Sequence, residues 1–399
     1  MRKAVGGRAG AGGLVEDWDM AAAESFDFII VGAGIAGAAA GYFLSRQASI
    51  LLIERESQPG YHATGRSAAI YSETYGNAPV RALTTGSRDF LWSPPPGFAE
   101  HPVLTPRGTL IAGGESQREA VERAFEESRR LVPSLRRLEQ KEILERVPVL
   151  RPAQAVAGLL EPNAADIDVH ALHQGYLRGI RAKGGRLVCD AEVLDATPAG
   201  GNWRLVTRAG TFAAPVVINA AGAWADDFAA LAGAAPIGLV PKRRTVITFE
   251  APAGLAIAAW PQLVDADERF YFKPDAGRIL ATPADETPSP PCDAQPEEMD
   301  VALCIERIEA ATRLKVTRLH RKWAGLRSFV ADRTPVVGFD PVRPGFFWLA
   351  GQGGYGMQTS AAMGRTVAAL ARGLSLPADL ADLGLNASSL APGRAYLAA

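Results

Sequence analysis

The stretch FDFIIVGAGIAGAAAGYFLS, residues 26–45, leaves few folds open. An apolar run, Phe28 to Val31, reads as a buried strand and passes directly into Gly32, Gly34 and Gly37 ahead of a helix of small residues. Glycine at the first two positions lets the chain turn tightly and approach a pyrophosphate; at the third it lets the helix lie close to the strand. The first helical turn, with Ile35 and Ala36, then offers free N–H groups to phosphate oxygens. A second apolar run, Ile50 to Ile53, ends in Glu54, about 20 residues downstream, the distance at which a carboxylate reaches a ribose hydroxyl. Arg55 follows it. Strand, turn, helix, strand and acid in this order predict a Rossmann-like dinucleotide site.

With 399 residues, 48% apolar and 21% charged, the chain can build two cores. A formal net charge of −1 offers no basic field to nucleic acid and no polybasic stripe to an anionic membrane. Cys189, Cys292 and Cys304 lie far apart with no CxxC, so neither a disulfide framework nor a metal site is expected, and a reducing compartment fits. No apolar run approaches the roughly 20 residues that span a bilayer. The expected location is cytoplasmic, with a peripheral place at the inner face of the membrane left open. Arg2, Lys3 and Arg8 are followed by Gly and Ala instead of an apolar segment, a poor signal peptide. Residues 1–23 read as a disordered extension, with Met20 an alternative start.

Further on, LWSPPPGF marks a crossing into a second domain, and SQREAVERAFEESRRL and EQKEILERVPVL are amphipathic helices. DVHALHQGYLRGIRAKGG reads as a helix stopped by Gly184 and Gly185, with RLVCDAEVLDA the strand after it, Val193 included. APVVINAAGAWADDFAAL is another parallel strand, passing through Ala221, Gly222 and Trp224 into a helix. PKRRTVITFE and ERFYFKPDAGRILATP alternate in type and predict antiparallel strands, and a helix follows from Asp300 to about Arg313.

The chain closes with FFWLAGQGGYGMQTSAAMG, a second strand, glycine turn and helix beginning near Gln358. A nicotinamide coenzyme would leave this turn idle. A flavin uses both: its ADP half lies on the first turn, its ring reaches Gly351 to Gly356, and the helix aims its positive end at the pyrimidine edge. With only one GxGxxG followed by an acid, no nicotinamide site is evident. Electrons therefore come from an organic substrate and leave to oxygen, a quinone or another carrier.

IIVGAGIAGAAAGYFLS, PGYHATGRSAAIY, DVHALHQGYLRGI, VINAAGAWAD, WAGLRSFVADRTPVVG and AGQGGYGMQTSAAMG together resemble the flavin-dependent amine and D-amino-acid oxidoreductases (DAO type), with the bacterial D-arginine dehydrogenases as the nearest likeness. The resemblance covers the chain from Phe26 on. It implies a discontinuous FAD domain, residues 24–100, 164–236 and 326–397, and an α+β substrate domain on an antiparallel sheet, residues 101–163 and 237–325. It implies FAD held non-covalently on the first motif and on Arg66, Ser67, Ala68, Val193, Ala221, Gly222, Trp224, Leu326, Gly351, Gly353, Gly354, Tyr355, Gly356 and Gln358. His62 has a hydrogen-bonding role rather than a covalent link. The reaction implied is oxidation of a D-amino acid, with hydride passing from Cα to flavin N5 and the imino acid hydrolysing to a 2-oxo acid and ammonia.

Such a reaction needs a cationic grip on the substrate carboxylate, a neutral amine and a fixed distance to the ring. Arginine suits the grip because its planar fork binds a carboxylate in bidentate fashion and stays charged. Strand alternation puts Arg243 and Arg244 on opposite faces without choosing between them; the resemblance selects Arg244 and adds Arg327. It likewise gives Tyr75, in a lid-like loop, and Tyr271 contact with the substrate, and sets Gly354 and Gln358 near its amine and the ring. The chain departs from D-arginine dehydrogenase at three positions: Thr109 replaces the glutamate that meets the substrate guanidinium, Ile70 a histidine and Gln262 a methionine. A charge-assisted hydrogen bond is worth about 1.5–3 kcal/mol, so this loss lowers preference for arginine roughly 10- to 100-fold and favours neutral side chains. Glu73, Asp265 or Asp267 could restore the charge. The rival readings are an oxidase of glycine, sarcosine or another amine and a non-catalytic flavoprotein subunit.

Overall fold

The structure, a computed structural model, describes residues 23–394. Most of the expected N-terminal extension, residues 1–22, lies outside the described residues, as do residues 395–399.

Strand Phe28–Val31 is buried at all four positions because it lies inside a parallel sheet covered on both faces. Six strands form that sheet in the order Arg186–Val188, Ile50–Ile53, Phe28–Val31, Val216–Asn219, Phe346–Ala350 and Val336–Phe339. All neighbours are parallel except the last pair. One face is covered by helices Ile35–Leu44, Val169–Ala182 and Ser360–Leu370, whose Ala, Gly and Leu surfaces enclose Ile30, Leu52, Ile218 and Phe347. Asp168 caps the second of these helices by accepting from the Ala171 N–H at 2.8 Å. The other face packs on Trp203, Phe212 and Phe228.

A nine-stranded sheet stands beside this layer. At one end of it stands the long pair Val240–Glu250 and Leu319–Phe329, antiparallel from Val240↔Phe329 to Phe249↔Leu319. Outward lie Arg278–Thr282, Tyr271–Asp275, Gln262–Asp265, Thr109–Gly113, Ala157–Glu161 and Arg136–Glu139. The antiparallel expectation holds for every pair but Gln262–Asp265 with Thr109–Gly113, which run parallel. One face of this sheet buries Ile247, Phe249, Phe272 and Ile279 against Val301, Cys304 and Ile308 of helix Glu298–Ala311. No helix among the described residues is long and apolar enough to cross a membrane.

Three expectations need correction. RLVCDAEVLDA is two strands, Arg186–Val188 and Val193–Ala199, in different sheets; the chain turns between them at Asp190, with φ of 52°, so the alternation read as one strand spans a corner. The break at residues 325/326 falls inside strand Leu319–Phe329, whose ladder continues across it. The helix expected to begin near Gln358 begins at Ser360, two residues past it.

Candidate active site

A cavity of about 450 Å³ lies at the carboxyl ends of the parallel strands, between that layer and the large sheet. This is where open α/β sheets bind ligands. Its walls at one end are Gly32, Gly34, Ile35, Ala36, Glu54, Arg55, Val193, Ala221, Gly222 and Trp224; at the other they are Arg244, Tyr271, Leu326, Arg327, Gly353, Gly354 and Gly356, with Arg66, Ser67 and Ala68 from the loop between.

At the first end the backbone approach is as tight as the glycine spacing demands. A Cβ on Gly37 would lie 1.9 Å from the Gly32 carbonyl oxygen, so Gly37 sets helix-to-strand packing and stands behind the wall. The Glu54 carboxylate accepts the Ala33 and Glu56 N–H groups, each at 3.0 Å, which aims it into the cavity. Burial pushes its pKa up while these bonds pull it down, leaving it above the ordinary carboxylate value. Arg55 stacks over the Trp224 ring at 4.9 Å. His62 places Nε2 2.9 Å from Glu56 Oε1. Its Nδ1 and the Gln352 Nε2 are buried in the cavity wall without a partner among the described residues. Unpaired polar atoms in an otherwise apolar cleft are the mark of a ligand that satisfies them. A paired carboxylate for a ribose, a glycine turn for a pyrophosphate and these open polar atoms fit FAD.

At the other end the resemblance-based residues converge. Arg327 Nη1 donates to the Tyr75 hydroxyl at 3.2 Å and Nη2 to the Tyr271 hydroxyl at 3.3 Å. Gly354 makes room for it: a Cβ there would lie 2.9 Å from Nη1. Among the described residues Arg327 has no carboxylate partner. Arg244 faces the same cavity and Arg243 the other side, where it bonds Asp300 at 3.1 Å and Glu297, as strand alternation allows. Burial and then the Arg327 charge lower the Arg244 pKa. Burial alone would raise the Tyr271 phenol, yet Arg327, Arg244 and Lys273 together draw it below its ordinary value. This end of the cavity is therefore electropositive, and an anion is the ligand it accepts at least cost.

Some expected residues stand elsewhere. Tyr75 lies outside the cavity lining and reaches the site only through Arg327, its ring packed 4.9 Å from that of Tyr355. Tyr355 and Gly351 shape the last turn from behind, Gly351 with φ of 75°. Gln358 does not face the cavity: its Oε1 accepts the Ser72 N–H at 3.2 Å and its Nε2 donates to Thr84 Oγ1 at 2.9 Å. Nor do the reserve acids. Glu73 bonds Arg88 Nε at 2.6 Å, Asp265 bonds Arg269 at 2.9 Å and Gln117 at 3.1 Å, and Asp267 accepts from Gln117 at 2.8 Å. Ile70 starts a short strand beside the site, and Thr109 and Gln262 are register neighbours in the large sheet.

Sequence reasoning missed the residues that hold Arg244. Its Nε donates to the Asp285 carbonyl at 2.9 Å, and Glu286 Oε1 lies 3.4 Å from Nη2. Glu286 also meets Arg333 at 2.7 Å and Lys242 at 3.1 Å. These bonds, Arg333 foremost, hold its pKa down to about 2. A depressed acid stabilises the fold fully above its ordinary pKa and loses that contribution as pH falls toward its folded value. The melting-temperature gap between the native chain and Glu286→Gln is therefore expected to shrink from pH 6 to pH 3. Scanning calorimetry across that range checks it, and a gap that widens on acidification contradicts it.

The comparisons with known proteins agree with this geometry. The family model for FAD dependent oxidoreductases (DAO) matches residues 27–370. Glycine oxidase of Geobacillus kaustophilus is 26% identical over 375 residues, covering 90% of this chain and 97% of that protein. Monomeric sarcosine oxidase of Bacillus sp. is 26% identical over 229 residues, 56% of this chain and 58% of that one. Among solved structures, the Geobacillus glycine oxidase superposes with a TM-score of 0.78 at 23% identity, covering 91% of this chain and 99% of that one. The FAD-bound L-alpha-glycerophosphate oxidase of Mycoplasma pneumoniae gives 0.78 at 19%, covering 88% and 95%. The two relatives found by sequence are a glycine oxidase and a sarcosine oxidase and not D-arginine dehydrogenases, so they carry the wider kinship and not the narrower one. A cleft fitted to FAD, matched by a family model across most of its length, makes this chain a member of the DAO family of FAD-dependent oxidoreductases.

Proposed function

We propose that this enzyme oxidises D-amino acids with neutral, apolar or aromatic side chains. The observation that carries the reading is Arg327, a guanidinium at the cavity floor whose two Nη atoms rest on neutral tyrosine hydroxyls and on no carboxylate among the described residues. A substrate carboxylate completes it, in the bidentate geometry that fixes orientation as well as charge. Arg244 adds positive potential while Asp285 and Glu286 hold its position. The same potential disfavours a bound ammonium, so Arg327, Arg244 and Lys273 promote loss of the amine proton to water and leave the neutral amine that oxidation requires. Bound FAD supplies the acceptor for the hydride that leaves Cα.

Neutrality of the side chain follows from where the acids are. Glu73, Asp265 and Asp267 are each engaged by Arg88, Arg269 or Gln117, and Thr109 supplies no charge. The second reading, an oxidase of glycine or sarcosine, is favoured by the similarity to the Geobacillus glycine oxidase and the Bacillus sarcosine oxidase.

Anaerobic mixing with single D- and L-amino acids, glycine and sarcosine, followed by flavin bleaching, separates the readings. D-methionine, D-leucine or D-phenylalanine is expected to bleach fastest. A hundredfold advantage for D-arginine, or bleaching by L forms alone, contradicts the proposal; bleaching by glycine and sarcosine alone establishes the second reading. Peroxide formed in air then shows whether oxygen is the acceptor.

A further inference from the structure

Glu161 is an acid that the site's chemistry does not use. It ends strand Ala157–Glu161, is 2% exposed and has no cation beside it among the described residues. Burial pushes its pKa up. A buried carboxylate is tolerated only where donors replace its water. Here all three come from one loop: Ser72 Oγ at 2.7 Å and Thr74 Oγ1 at 2.8 Å donate to Oε2, and the Glu73 N–H donates to Oε1 at 2.7 Å. Three consecutive residues of the loop before Tyr75 are thus tied to the end of an inner strand of the large sheet, and the next residue presents its hydroxyl to Arg327.

Within the loop, Ser72 Oγ also meets Thr74 Oγ1 at 3.1 Å and the Tyr75 N–H donates to the Ser72 carbonyl at 3.5 Å, which ties the loop to itself; its other tethers act elsewhere. Glu73 turns its carboxylate away to Arg88 and Tyr71, and Ser72 gives its N–H to Gln358. Neither ties Thr74, the residue next to Tyr75, to the large sheet. Glu161 does.

We propose that Glu161 is the positioning residue of the substrate loop: by fixing residues 72–74 it holds the Tyr75 hydroxyl on Arg327 and so sets the affinity of the site for a carboxylate. The inference deepens the proposed function and rests on it. Loss of the three bonds leaves the guanidinium with one phenolic support and the loop with freedom that binding must then remove.

The test titrates FAD-loaded protein with acetate and with propionate and reads the dissociation constant from the flavin spectrum. Glu161→Gln is expected to weaken binding about tenfold at unchanged flavin content. In a Tyr75→Phe background the same change is expected to have less than a twofold effect, because both substitutions then remove one interaction. Thr74→Val attacks the contact from the loop side, with an expected loss of about threefold, and serves if Glu161→Gln does not fold. Full binding by Glu161→Gln, or by Thr74→Val where Glu161→Gln does not fold, overturns the inference while leaving the functional reading intact. An equal tenfold loss with and without the Tyr75 hydroxyl also overturns it, since Glu161 would then act by another route. A native protein that binds neither carboxylate removes the functional reading and this inference with it.

Discussion

Arg327→Ala is expected to lower kcat/KM for the best amino-acid substrate by between about thirty- and several thousandfold. Removing one partner of a desolvated charged pair costs roughly 2–5 kcal/mol, and each 1.4 kcal/mol is tenfold. Arg244 cannot take over, because its Nε is bound to the Asp285 carbonyl and its Nη2 lies beside Glu286. Arg327→Lys keeps the charge and loses the fork, so it should recover about tenfold of the loss. The Tyr75 and Tyr271 hydroxyls now accept from two separate Nη atoms, a planar two-point geometry that a single ammonium nitrogen does not reproduce. Steady-state kinetics on both variants, with flavin content measured beside them, check this; an Arg327→Ala enzyme within tenfold of the native value refutes the carboxylate grip.

Gly37→Val is expected to abolish flavin binding. The added Cβ would lie 1.9 Å from the Gly32 carbonyl oxygen and 3.1 Å from its carbon, and the atoms it meets are backbone of the strand-to-helix turn. They cannot rotate away as a side chain would, so helix Ile35–Leu44 must shift from strand Phe28–Val31 and carry the turn at Gly34 with it. Steric strain of this kind belongs among the few mechanisms that cost more than about 4 kcal/mol. The ratio of absorbance at the flavin band to that at the protein band reads the outcome directly, and a Gly37→Val protein purified with full flavin contradicts the packing argument.

The glycine turns were legible because their information is local: φ of 106° at Gly32 and the approach of Gly37 are demands that residue type alone reveals. Alternation likewise exposed the strands of the large sheet and placed Arg243 and Arg244 on opposite faces. It could not choose between them, since a strand has no label for which face holds the ligand. Tyr75, Tyr271 and Arg327 were reached through the resemblance alone, and they meet in space from positions up to 252 residues apart. Gln358 was misplaced for a related reason. Its number in the chain puts it beside the last turn, but its partners Ser72 and Thr84 come from far away and turn it inward. Glu286, Asp285 and Glu161 left no local signal, as an acid after a strand usually stays in solvent.

The long ladder between Val240–Glu250 and Leu319–Phe329 joins Arg244↔Gly325 and Lys242↔Arg327 in one register. The two cations thus sit on a single stiff plate, and neither can be moved without shearing the ladder that joins their strands. On the proposed function, recognition of the acid group is therefore built into architecture that drift tolerates poorly, whereas the segment bearing Tyr75 hangs from side-chain contacts that single substitutions can rewrite. A lineage sharing this frame could exchange one amine for another by editing that hanging segment, and leave the plate untouched.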